Sequence, residues 1–131
     1  MLQITKLGRV MVPVADQDEA IAFYTKALGF TLVADVPFAE TGRWVEVAPP
    51  GGGASLALVP PMGAYGTGRM TGVAFESPDP AGAHAALKAK GVDVDAGLMG
   101  GDGGVPLMFF FRDNDANTLM IVEAQSSTRS S

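Results

Sequence analysis

Few side chains in these 131 residues can do covalent or metal chemistry. There is no cysteine, so a thiolate nucleophile, a thiolate metal site and a disulfide are all excluded. The one imidazole, His84, sits in a helical stretch with no His or carboxylate at i+4, which excludes a helical metal pair. Its position predicts an exposed or half-exposed histidine with a structural or surface role. No Ser–His–Asp set has a recognisable context. The glycine run at residues 100–104 (GGDGG) neither follows a strand nor opens a helix, so it reads as a loop and not as a phosphate cradle. What remains is a small group on strands: Arg9, Trp44, Glu46 and Glu76. An aromatic ring beside a charge, as at Trp44 and Glu46, suits a flat amphipathic ligand held by stacking and a few oriented polar contacts. Arg9 either pairs with Glu46 or Glu76 as a structural bridge or touches the ligand. A carboxylate among apolar walls is expected to have a raised pKa, which makes Glu46 or Glu76 a candidate acid or base.

The elements that must carry these residues follow from periodicity. Residues 8–14 alternate, with Val10, Val12 and Val14 on one face and Arg9 and Met11 on the other, which predicts a strand. Asp16, with Glu19 three residues on, forms a capping box for a helix whose apolar stripe includes Ala20, Ile21, Phe23, Tyr24, Ala27 and Leu28 and which Gly29 ends. Strands are expected at 30–36, 43–48 and 54–59, with a turn containing Thr41 and Gly42 between the first two. After the Pro/Gly-rich boundary at 60–70 the order repeats: a strand at 72–76, an Asp79-Pro80 helix start, a helix at 83–90 ended by Gly91, and strands at 92–94, 106–112 and 118–124. An offset of about 62 residues superposes Gly29 on Gly91, so a duplicated βαβββ unit is the simplest reading. The expected fold is α+β: one domain over residues 1–124, with module 1 at about 5–60, module 2 at about 70–124, and a flexible tail at 125–131.

Composition narrows the partners. A formal charge of −5 without a Lys/Arg cluster argues against nucleic acid and anionic membranes. The start of the chain breaks its apolar residues with Lys6 and Arg9, which fits neither a signal peptide nor a membrane span, so a cytoplasmic protein is expected.

Three segments, VADQDEAIAFYTKALGF, GVAFESPDPAGAHAALKAKGVDV and FFFRDNDANTLMIVE, resemble the vicinal oxygen chelate superfamily, which includes glyoxalase I, dioxygenases and bleomycin-binding proteins. The resemblance covers residues 8–123. It implies two βαβββ modules that pair their sheets into a curved trough, often within a homodimer that packs edges or exchanges modules. Metal-dependent members carry His or Glu at four strand positions, which fall here on Arg9, Ala57, Gly72 and Met120. None of the four suits a hard or borderline divalent ion, so neither metal nor cofactor is expected.

With Arg9 and Met11 inward, parity adds Trp44, Glu46, Ser55, Ala57 and Val59, then Ala74, Glu76, Met120 and Val122. Either Met108 and Phe110 or Phe109 and Phe111 join them; Met108 and Phe110 are taken as the site pair. Phe38, Met62, Tyr65 and Met70 are expected in loops at the rim. The expected ligand-binding residues are thus Arg9, Met11, Phe38, Trp44, Glu46, Ala57, Val59, Gly72, Glu76, Met108, Phe110 and Met120. Apolar residues on a sheet are more often core than binding site, but Trp44 beside Glu46 fits a ligand better. The reading is a metal-free protein, a binder rather than an enzyme, that sequesters a bulky, partly aromatic natural product or drug. The alternatives are a metal-dependent lyase or dioxygenase, and a metal-independent isomerase or cyclase using Glu46 or Glu76.

Overall fold

The computed structural model describes residues 2–38, 40 and 42–124; Thr41 and the expected flexible tail at 125–131 lie outside the described residues. The chain divides into two units, Met1–Arg69 and Met70–Ser131, and each carries one four-stranded mixed sheet.

In the first unit, β1 (Arg9–Pro13) leads into α1 (Gln17–Ala22), followed by β2 (Thr31–Phe38), β3 (Gly42–Ala48) and β4 (Ser55–Val59). The sheet order is β1-β4-β3-β2, with β1 parallel to β4 and the other pairs antiparallel. Asp16 caps α1 by accepting from the Glu19 N–H at 3.0 Å, and Gly29 leaves the helix at φ +75°. Between them the helix widens into a π-turn at Phe23–Ala27, which the apolar spacing does not announce. Val12, Val14, Val45, Val47, Leu56 and Leu58 are buried with Ala20 and Tyr24 of the helical segment. Burying each such aliphatic side chain contributes about 1.5–3 kcal/mol, so this face is bound to be the core. Gln17 at the first turn of α1 donates its amide N–H to the carbonyls of Arg43 (2.7 Å) and Leu58 (2.9 Å), which ties the helix start to β3 and β4.

The second unit repeats the plan with β5 (Met70–Ser77), α2 (Pro80–Ala89), β6 (Asp93–Val94), β7 (Met108–Arg112) and β8 (Thr118–Glu123), in the order β5-β8-β7-β6. Asp79 accepts from the Gly82 N–H at 3.0 Å, and Pro80 opens the helix. Phe109 and Phe111 are fully buried; Phe109 meets the His84 ring edge-on at 5.0 Å between centroids. The phase of the MFFF run is thereby decided, with Met108 and Phe110 on the face away from α2.

Three expectations are corrected. His84 is buried rather than exposed, because its Nε2–H donates to the Asp95 carbonyl at 2.7 Å while its ring packs on Phe109. Phe38 and Met70 belong to strand ends and not to loops. Strand β2 runs on through Pro37 because it is an edge strand, where a proline can be placed without losing a ladder hydrogen bond.

The loop between β7 and β8 is built on Asp113, whose carboxylate accepts from the backbone N–H of Asp115 (2.8 Å) and from Asn117 through its backbone N–H (3.0 Å) and amide (3.1 Å). It forces Ala116 to φ 61°, the one positive-φ position among the described residues that is not glycine. Left-handed geometry costs an alanine about 1–2 kcal/mol, against about 0.5–1 kcal/mol of extra chain entropy for glycine. Ala116→Gly is therefore expected to stabilise the protein by up to about 1 kcal/mol, read as a higher urea midpoint at unchanged slope.

Candidate functional site

In the first unit, register places the site residues on the sheet face opposite α1. Met11 pairs with Ala57, Pro13 with Val59, Ala57 with Glu46, and Val36 with Trp44. The edge strand reaches that face through a bulge: Leu32 opposes Val47, but Ala34 opposes Glu46, so one extra residue turns Ala34, Val36 and Phe38 to the Trp44 side. Met11, Phe38, Gly42, Arg43, Trp44, Val59, Pro60 and Met62 line a pocket of about 260 Å³. The Phe38 and Trp44 rings stand at 68° with centroids 6.0 Å apart, so they form two walls of a corner. Pro60 and Met62 belong to the loop after β4, which folds back through the Met62–Tyr65 bridge and the hydrogen bond from the Tyr65 hydroxyl to the Met11 carbonyl.

Beside the pocket, Glu46 collects three donors. Its Oε2 accepts from the Trp44 indole N–H at 2.6 Å and from Arg9 Nε at 3.0 Å, and its Oε1 accepts from the Ser55 hydroxyl at 2.7 Å. Burial pushes the Glu46 carboxyl up, but the hydrogen bonds from Ser55 and Trp44 and the charge and hydrogen bond of Arg9 outweigh it and hold the group below its ordinary value. The expected raised pKa is thus corrected for Glu46, which is an ionised anchor for the indole edge and a poor proton acceptor. Arg43, at the pocket wall, is engaged by Asp35 (2.9 Å) and Asp18 (2.9 Å), and these carboxylates raise its pKa.

Met11, Phe38, Trp44 and Val59 therefore come together around one pocket, with Arg9 and Glu46 as an adjoining ion pair. Ala57 lies on the same face but is fully buried and is not among the lining residues. Pro60, Gly42 and Arg43 complete the wall without having been expected there. In the second unit, Met108 opposes Val122, Phe110 opposes Met120, and Glu76 opposes Val122, so Glu76, Met108, Phe110 and Met120 share a sheet face. Glu76 is exposed, not enclosed by apolar walls. Gly72 does not occupy a regular strand position: it lies in the irregularity between Met70 and Ala74 at φ +78°, so backbone conformation accounts for its lack of a side chain.

The donor chemistry at the four strand positions does not fit a divalent ion. Arg9 is a cation bonded to Glu46, Ala57 has no donor, Gly72 sits where an L side chain is strained, and Met120 offers one thioether. Among the described residues no cluster of three or more His, Cys, Asp or Glu could hold a metal ion.

Comparison with known proteins places this geometry. The profile of the Glyoxalase/Bleomycin resistance protein/Dioxygenase superfamily matches residues 6–121. The chain belongs to that superfamily. It is 32% identical to the uncharacterized protein YetH of Bacillus subtilis, over 92% of this chain and 99% of YetH. It resembles the crystal structure of TnmS3, an antibiotic binding protein from Streptomyces sp. CB03234, with TM-score 0.81 and 33% identity over 95% of this chain and 100% of that one. A superfamily member from Sphaerobacter thermophilus matches with TM-score 0.84 and 28% identity, over 94% of this chain and all of the other. No helix among the described residues is long and apolar enough to cross a membrane.

Proposed function

We propose that this chain is a metal-free binding protein that sequesters a bulky, partly aromatic natural product or drug, in the service of antibiotic resistance or self-protection. The observation that carries the reading is the apolar corner of Trp44, Phe38, Met11 and Met62, with the indole edge fixed by Glu46. A pocket of about 260 Å³ takes the flat part of such a ligand and leaves the remainder outside. The similarity to TnmS3, an antibiotic binding protein, supports the ligand class. The lowered pKa of Glu46 weighs against a metal-independent isomerase or cyclase that uses it as base.

The test is titration of Trp44 fluorescence with a panel of polycyclic natural products, followed by mass spectrometry of the recovered ligand. Saturable quenching with unaltered ligand is expected. No quenching across the panel, or a chemically changed ligand, contradicts the reading. The working form in this reading is a homodimer, side by side or module-swapped. Four large apolar residues exposed along the edge strand β2, Leu32, Val33, Val36 and Phe38, support it. Light scattering at micromolar concentration should give twice the mass of the 13.5 kDa chain, and a monomer mass contradicts it.

A further inference from the structure

Arg9 adjoins the Trp44 pocket through Glu46, with four of its five N–H donors unused. Its Nε is fixed on Glu46 Oε2, the same oxygen that accepts from the Trp44 indole N–H, so the guanidinium and the indole edge meet on one atom. Among the described residues its two terminal nitrogens have no acceptor, and the Arg9 side chain is 53% exposed. Met11, two residues along β1 on the same face, is already a wall of the pocket. A ring lying on Trp44 therefore presents its rim to a guanidinium edge that is planar, permanently charged and held in place by its third nitrogen.

The other charges at the site leave Arg9 as the deciding one. Glu46 is satisfied by three donors and largely buried, so it offers little to a second cation. Arg43 is engaged by Asp18 and Asp35. Gly42 aside, the remaining lining residues, Met11, Phe38, Trp44, Val59, Pro60 and Met62, carry apolar side chains.

We infer that the pocket selects planar aromatic ligands bearing an anionic or strongly accepting oxygen at the ring edge, and disfavours cationic ones, because Arg9 reads that edge. This rests on the binding function proposed above and specifies its ligand class. An oxygen acceptor gains charge-assisted hydrogen bonds from the terminal nitrogens, whereas an ammonium group meets like charge.

The experiment is calorimetric titration of the full chain with three probes on one ring frame: anthracene carboxylate, hydroxymethylanthracene and aminomethylanthracene. The carboxylate is expected to bind about tenfold tighter than the alcohol, with the ammonium probe weakest. In Arg9→Gln the ratio of carboxylate to alcohol should fall to about one, and Arg9→Lys, which keeps charge but loses the planar edge, should lie between. Equal affinities of the wild-type protein for all three, or a preference for the ammonium probe, overturn the inference while the binding function stands. Binding of none of them overturns both. The wild-type ranking alone decides the matter if the variants prove unstable.

Discussion

Trp44→Ala is expected to weaken binding of a polycyclic aromatic ligand by at least about thirtyfold, the scale of a central aromatic anchor in an interface. The residue supplies one wall of the pocket, and its ring is pre-set by the indole N–H bond to Glu46, so the ligand does not have to order it. Trp44→Phe separates the two contributions. It keeps an aromatic face but loses the N–H, and should fall between wild type and alanine when measured by calorimetry. If Trp44→Ala binds as tightly as wild type, the ligand lies elsewhere.

Loss of Glu46 should show in both stability and pH dependence. Glu46→Ala leaves the Trp44 N–H and the Ser55 hydroxyl without their acceptor, while the half-exposed Arg9 returns to water. Such orphaned donors cost about 2 kcal/mol, which denaturant unfolding near neutral pH resolves. The pH dependence follows from the direction of the shift. The folded carboxyl sits below its ordinary value of 4.5, so the folded state favours the ionised form, and the stabilisation is complete above 4.5. It is lost as pH falls through the lower folded pKa. The stability gap between wild type and Glu46→Gln should therefore stay constant from neutral pH down to about 4.5 and close as pH falls from there through the lower folded pKa. A gap that widened toward acid would mean that the folded Glu46 carboxyl titrates above its ordinary value, the direction a general acid requires.

Strand parity carried much of the site. The alternation Arg9, Met11 against Val12, Val14, and Trp44, Glu46 against Val45, Val47, shows which residues go to the core, because a one-residue error would expose a row of valines. Two glycines at matching helix ends and two N-capping aspartates made the duplicated order legible. Parity could not phase the MFFF run, since all four residues are apolar; the contact of His84 with Phe109 does so. Nor could it see the β2 bulge that brings Phe38 beside Trp44, or the fold-back of Pro60 and Met62, as both depend on partners distant in sequence. The raised pKa expected of Glu46 fails for the same reason. Apolar walls imply desolvation, whereas its donors come from β1 and β4 as well as from Trp44. Gly72 falls on one of the four ligand positions that the resemblance implies, and its positive φ supplies a backbone reason for the missing side chain.

The measurement that bears most directly on metal-free binding is the dissociation constant of one polycyclic aromatic ligand, taken with and without chelator and then with added Zn, Mn, Fe or Ni. With Arg9, Ala57, Gly72 and Met120 at the four strand positions, the constant should be the same in every condition. Binding that disappears with chelator and returns with one of these ions would contradict the account.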